Sequence, residues 1–236
     1  MKKPLAVAVA VVGAGNMGGG MLARLRGLAW AVGVHDTDPQ ALARAVALGA
    51  VPAVSANSVA QNLTDQGVLI VAVVDAAQTE VVLWGEGGAG PVMQPGQSVM
   101  LCPTLGPGTV QGQAERLSQR GIDFIDAPMS GGPLRAKEGT MSLMVSCSDA
   151  VWQRSQTLLN ALSQQVFRVG TRPGDGARTK LVNNLLAAVN LVETGMGRVD
   201  GISVAGAQGP MQFLPSTASG GGTSGRGRSR SQLTPK

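Results

Sequence analysis

Apolar residues along the chain alternate between two textures: short unbroken runs, and longer stretches in which they recur every three or four positions. The runs at 5–12, 30–35, 68–74, 99–102, 122–125, 142–147 and 165–169 predict strands. The run at 68–74 has no polar interruption, as expected of a parallel strand covered on both faces. Helical spacing fills the intervals. Over 16–28 it places Met17, Met21, Leu22, Leu25 and Leu28 on one face, and further helices are predicted over 39–48, 58–63, 77–84, 106–120 and 150–162. Pro39 suits a first helical turn and makes Asp38 the N-cap of its helix. Residues 49–55 read as a turn and 85–96 as a loop. This rhythm predicts an α/β fold, a Rossmann-type doubly wound and mostly parallel sheet.

The pattern changes after a linker at 170–176. Residues 177–193 form one helical stretch with Leu181, Leu185, Leu186, Val189 and Val192 on its apolar face. Lys180 and Asn184, spaced i, i+4, share a face beside that stripe. A lysine there is commonly a snorkelling surface residue; it gains a chemical role only if its face is turned into a ligand cleft. Beyond Glu193 glycines at 195, 197, 201, 206 and 209 interrupt every turn, Pro210 and Pro215 follow, and 219–231 is basic and low in complexity. The expected organisation is a nucleotide-binding domain over 1–170, the start of an all-α domain over 176–200, and a disordered tail over 201–236. The fading pattern reads as a truncated second domain, with a change of reading frame near 191–195.

Glycines 13, 15 and 18 fit the G-x-G-x-x-G spacing at the first strand–helix junction. Gly13 permits the tight turn, Gly15 close backbone approach to a pyrophosphate, and Gly18 close packing of helix on strand. Free N–H groups and the positive end of the helix dipole then face the phosphates. Asp36, at the end of the second predicted strand, stands where a carboxylate accepts both hydroxyls of an adenosine ribose. With Asp38 assigned to the helix cap, Asp36 is left free for that role. A carboxylate there repels a 2′-phosphate and no arginine follows at once, so NAD is favoured over NADP. From Asp126 the segment Ala127-Pro128-Met129-Ser130-Gly131-Gly132-Pro133 is rich in turn residues and ends an apolar strand, where a substrate loop or an ordinary loop would lie.

Composition narrows the function classes. The net charge of +5 invites a nucleic-acid reading, but Arg226, Arg228, Arg230 and Lys236 supply four of the positive charges and no acid lies beyond Asp200. Residues 1–225 therefore carry 15 basic and 14 acidic side chains, and this near-neutral body argues against nucleic acid as the partner. Cys102 and Cys147 lack metal-ligand spacing and read as buried free thiols. His35, the one histidine, cannot build a His-based metal site or a Ser-His-Asp triad. Met1-Lys2-Lys3 before an apolar run imitates a signal peptide, yet the run leads into the glycine turn, and no stretch has the length of a membrane span. A cytoplasmic location is expected.

Four separated motifs resemble those of the β-hydroxyacid dehydrogenases: VVGAGNMGGGML at 11–22, VVDAAQTEVVLWG at 73–85, DAPMSGGPLRAKEGTMSLMV at 126–145 and GDGARTKLVNNLL at 174–186. The motif at 73–85 is especially similar to that of the threonate dehydrogenase branch. The resemblance implies an oxidoreductase that transfers a hydride between a small 3-hydroxy acid and NAD. Gly13, Gly15, Asn16, Met17 and Gly18 would hold the pyrophosphate and Asp36 the ribose, with Val74 and Thr104 near the nicotinamide. Ser130, Gly131 and Gly132 would hold the substrate carboxylate, Lys180 would be the catalytic lysine and proton relay, and Asn184 its neighbouring substrate contact. The resemblance also implies a homodimer. Departures are Val74 where the family often has proline, Pro103 where it often has serine, and Ser146-Cys147-Ser148 in place of a glycine-rich turn. The competing expectation is a catalytically impaired NAD-binding module lacking most of the substrate domain.

Overall fold

A computed structural model of the chain describes residues 7–194. The predicted tail over 201–236 and the first two residues of the opening strand lie outside them, and the frame change expected near 191–195 falls at their end. The chain divides into two compact units, Met1–Val182 and Asn183–Lys236.

In the first unit six strands run parallel: β1 (Val7–Val12), β2 (Val32–His35), β3 (Val51–Pro52), β4 (Leu63–Val71), β5 (Ser98–Leu101) and β6 (Asp123–Asp126). Their spatial order is β3-β2-β1-β4-β5-β6, so the strand order reverses between β1 and β4. Three more strands extend the sheet: β7 (Met129–Ser130), β8 (Ser142–Ser146) and β9 (Gln165–Gly170). β8 is antiparallel to β6 and β7 and parallel to β9, which makes the sheet mostly parallel.

The unbroken apolar runs are explained by burial on both faces. A strand sends successive side chains to opposite sides, and here each side meets helices. On one face Val9, Val11, Ile70, Met100 and Ile125 pack with α1 (Asn16–Gly27), α2 (Pro39–Ala47), α6 (Gly132–Glu138) and α7 (Asp149–Leu162). On the other, Ala10, Val12, Leu69, Val71 and Leu101 pack with α3 (Ala56–Gln61), α4 (Ala76–Trp84), α5 (Pro107–Ser118) and the first turn of α8 (Asp175–Thr194), through Ala177.

Several sequence expectations are corrected. The turn at 49–55 contains β3, a two-residue edge strand closed by Pro52, too short to show a period. The helix expected over 58–63 starts at Ala56 behind a Ser55–Ser58 capping box, and Leu63 already belongs to β4. The segment after Asp126 is not bare loop: it carries β7 and then α6, which opens on glycines and Pro133 and buries only Ala136. The leucine stripe of α8 faces outward: Leu181 is 42% exposed and Leu185 62%.

Candidate functional site

The carboxyl edge of the parallel strands gathers nearly every residue singled out above. β1 ends at Val12 and the chain turns at Gly13, whose φ of +92° is open to glycine at little cost; a Cβ there would lie 2.7 Å from the Ala72 carbonyl oxygen. Gly18, in the first turn of α1, lies so close to the Gly13 carbonyl that a Cβ would collide with its oxygen and stand 3.0 Å from its carbon. The helix therefore begins tight against the strand end. Gly15 differs: nothing lies within 4 Å of where its Cβ would be, and as the N-cap of α1 it gives the first turn no side-chain hydrogen bond. Two glycines are thus required by the protein's own packing. The third faces open space at a helix N-terminus, where backbone N–H groups and the helix dipole favour an anion.

Asp36 follows β2. Asp38 caps α2 by accepting the Gln40 N–H at 2.9 Å, as the proline at N1 predicted. Asp36 itself is not free. One carboxylate oxygen accepts the Ala14 N–H at 2.5 Å and the other the Asp38 N–H at 2.7 Å. These bonds aim the carboxylate at the glycine turn, and each oxygen keeps a lone pair for a further donor.

A cavity of about 720 Å³ opens beside this turn, within the range of about 300–1,000 Å³ usual for ligand clefts. Gly13, Gly15, Asp36 and Val74 line it, and so do His35, Thr37, Val54, Gln78 and Glu86, to which sequence reasoning gave no part in a site. No lysine or arginine is among the lining residues. Val54 and Val74 are strongly exposed, so the cavity wall is partly apolar. Val74 is held from behind: its N–H donates to Gln78 Oε1 at 3.0 Å, and Asp75 caps α4 by accepting the Gln78 N–H at 2.8 Å. Asn16, Met17, Gly18 and Thr104 do not line the cavity; Met17 packs against the core and Thr104 is exposed beyond β5. A helix N-terminus with a side-chain-free glycine, an oriented carboxylate and a partly apolar wall suit a dinucleotide.

A further cluster lies along the same edge. Ser130 ends β7, Gly131 has a φ of +128°, and Gly132 starts α6. β6 ends at Asp126, 1% exposed, whose Oδ2 accepts the Gly174 N–H at 2.9 Å, the Ala177 N–H at 3.1 Å and the Ser146 hydroxyl at 3.2 Å. Ser146 Oγ in turn accepts the Gly176 N–H at 3.2 Å. Burial pushes the Asp126 carboxyl above its usual range, and the bonds from Ala177, Gly174 and Ser146 pull against that rise.

Lys180 follows one turn later. It is 8% exposed and not the snorkelling residue of the alternative reading. Its ammonium makes no hydrogen bond or ion pair among the described residues, and burial lowers its pKa from the ordinary lysine value. Asn184 falls in the second unit and is exposed. Cys102 and Cys147 are buried free thiols, as expected. Among the described residues no group of three or more His, Cys, Asp or Glu side chains could hold a metal, and no helix is long and apolar enough to cross a membrane.

The strand order, the glycine turn at the switch point and the oriented acid define a dinucleotide-binding Rossmann domain. Comparison with known proteins makes this specific. Residues 8–170 match the family model described as the NAD binding domain of 6-phosphogluconate dehydrogenase. The chain is 35% identical to L-threonate dehydrogenase of Cupriavidus necator over 183 residues, which are 78% of this chain and 61% of that protein. It is 36% identical to L-threonate dehydrogenase of Escherichia coli K12 over 186 residues, 78% of this chain and 60% of that protein. Among solved structures, 3-hydroxyisobutyrate dehydrogenase from Salmonella typhimurium superposes with a TM-score of 0.72 at 34% identity, covering 80% of this chain and 65% of that one. The chain belongs to this NAD-binding family and, within it, to the β-hydroxyacid dehydrogenases. It spans about 60% of the length of the curated relatives it matches.

Proposed function

We propose that this chain acts in hydride transfer between a small 3-hydroxy acid and NAD, with Lys180 as the proton relay. The observation that carries the reading is Lys180 itself: a buried cation without a partner among the described residues, on a helix whose first turn is seated at the carboxyl edge of the sheet, the edge at which the cavity opens. Burying an unpaired ammonium is costly, and a cost of this kind persists where a ligand supplies the missing partner. NAD, when bound, supplies the hydride acceptor. The residues of this chain do the rest. Gly13, Gly15, Asn16, Met17 and Gly18 form the turn and helix start that hold the pyrophosphate, and Asp36 accepts the ribose hydroxyls. Val74 and Thr104 flank the nicotinamide. Ser130, Gly131 and Gly132 bind the substrate carboxylate. In the reducing direction the Lys180 ammonium donates its proton to the substrate carbonyl oxygen; in the oxidising direction the neutral Lys180 amine accepts the hydroxyl proton, and hydrogen bonding from the lysine stabilises alkoxide character.

The preference for NAD over NADP is supported by Asp36, a carboxylate lining the cavity that would repel a 2′-phosphate, and by the lack of a lining cation among the described residues. The substrate class follows the relatives named L-threonate dehydrogenase and 3-hydroxyisobutyrate dehydrogenase. Calorimetric titration with NAD, alongside NADH formation from threonate, 3-hydroxyisobutyrate and glycerate, tests the reading. NAD binding with turnover of one acid that is lost in Lys180→Ala supports it. NAD binding without turnover of any acid supports the binding-module alternative instead.

A further inference from the structure

We propose that Asp126 is the positioning residue for Lys180: one buried carboxylate ties the start of the 127–131 segment to the N-terminus of α8 and thereby sets the lysine. The inference rests on the proposed role of Lys180 for its functional meaning, though not for its geometry.

The carboxylate sits at a junction of three chain segments. It closes β6, its residue pairs with Ser146 across the antiparallel step to β8, and its Oδ2 holds the amides of Gly174 and Ala177. Those amides belong to the end of the linker and the first turn of α8, where donors lack helical partners. A carboxylate there gains both hydrogen bonds and favourable interaction with the helix dipole. Ser146 makes the contact two-pronged by donating to Asp126 and accepting from Gly176. The approach is close enough to demand glycine: a Cβ at Gly176 would lie 2.6 Å from the Met144 carbonyl oxygen and 2.9 Å from the Asp126 carboxyl carbon. Gly176 and Asp126, fifty positions apart in two separate motifs, are therefore two halves of one contact. Lys180 stands three residues beyond Ala177 on the same continuous helix, so the anchor fixes both its height on the sheet edge and the rotation of its face. Asp126 touches neither cofactor nor substrate in this account. It acts through the helix.

Two variants of the full chain test this. Asp126→Asn keeps an oxygen able to accept what Oδ2 accepts but loses the charge; Ser146→Ala removes the other prong and leaves the carboxylate. Three quantities are read: NAD affinity, hydrogen exchange of the Gly174–Ala177 amides, and acetylation of Lys180 by limiting acetic anhydride relative to exposed Lys137. Both variants should leave NAD affinity within about twofold, and speed exchange at those amides by about tenfold or more, because the helix start opens locally. Acetylation of Lys180 should rise by about fivefold as its burial loosens. With a turned-over acid in hand, kcat should fall while KM for NAD holds. Faster exchange with unchanged Lys180 acetylation, or unchanged exchange, overturns the proposal, as does equal loss of NAD affinity. Increased acetylation with unchanged kcat leaves the anchor standing and instead removes the catalytic reading of Lys180.

Discussion

Gly15 and Gly18 belong to the same glycine motif and should behave oppositely when given a methyl group. At Gly18 the new Cβ lands on the Gly13 carbonyl oxygen and stands 3.1 Å from the Ala72 Cβ, with strand backbone on the crowded side. Neither neighbour is a flexible side-chain end, so α1 must back away from β1 by roughly an ångström, an overpacking cost of about 2–3 kcal/mol. For a chain of this size that lowers Tm by roughly 5–10 °C. At Gly15 the Cβ meets nothing within 4 Å and φ is −64°, a value any residue adopts. Replacing a glycine N-cap by alanine costs at most about 1 kcal/mol, partly offset by the stiffer unfolded chain. Gly15→Ala should therefore shift Tm by less than about 3 °C yet weaken NAD by about tenfold or more, because the methyl occupies the approach of the pyrophosphate. Differential scanning fluorimetry gives the first quantity and isothermal titration with NAD the other. If Gly15→Ala binds NAD as the unaltered chain does, or destabilises the fold as much as Gly18→Ala, the open space at Gly15 is not the pyrophosphate seat.

The charged and thiol groups supply further tests. Asp36→Ala removes the proposed acceptor for the ribose hydroxyls and its repulsion toward a 2′-phosphate, so the ratio of NAD to NADP affinity should fall by about tenfold or more; an unchanged ratio in parallel titrations rejects the assignment. Lys180→Met should raise Tm at neutral pH while turnover is lost. Because burial lowers the folded-state pKa of Lys180, the unfolded chain binds the extra proton, and the destabilisation it causes fades as pH rises toward the ordinary value of 10.5. The stability gain of the methionine variant should shrink over that alkaline window, and a gain constant with pH contradicts the buried cation. Cys147, its thiol pushed up to about 11 by burial, and Cys102, also buried, should both resist a disulfide reagent at neutral pH and react fully in denaturant; prompt labelling of the native chain argues against the packing around β5 and β8.

What the sequence made legible was whatever repeats locally. Val68 to Val71 announces a two-sided strand in four consecutive letters, and Asp38-Pro39 announces a capped helix in two. Elements too short to have a period stayed hidden: β3 and β7 contain two residues each, and α6 buries a single alanine. The cavity was half legible. Gly13, Gly15, Asp36, Val74 and Gln78 belong to motifs, whereas His35 and Val54 arrive at it only because β2 and the β3–α3 turn converge on one sheet edge. The engagement of Asp36 with Ala14 and Asp38 was likewise invisible, since the Ala14 contact joins positions 22 apart. The partners of Asp126 lie 20, 48 and 51 residues away, and no spacing rule connects them.

Helix α8 shows why such non-local polar contacts outweigh local pattern. Periodicity alone directs Leu181 inward and lets Lys180 reach solvent; the chain does the reverse, with Leu181 at 42% and Val182 at 54% exposure while Lys180 is at 8%. Magnitudes account for the choice. Fully burying a leucine gains about 1.5–3 kcal/mol, and Leu181, already more than half covered, has less than half of that left to win. Turning the helix to collect it would break the bonds from Gly174 and Ala177 to Asp126 and from Gly176 to Ser146. A hydrogen bond to a charged group contributes about 1.5–3 kcal/mol, and leaving a buried carboxylate without its donors costs more still. The anchor therefore dictates the rotation of the helix, and the rotation places the lysine indoors. On this account the buried cation is a consequence of where the carboxylate sits, set by hydrogen bonds one helical turn before it.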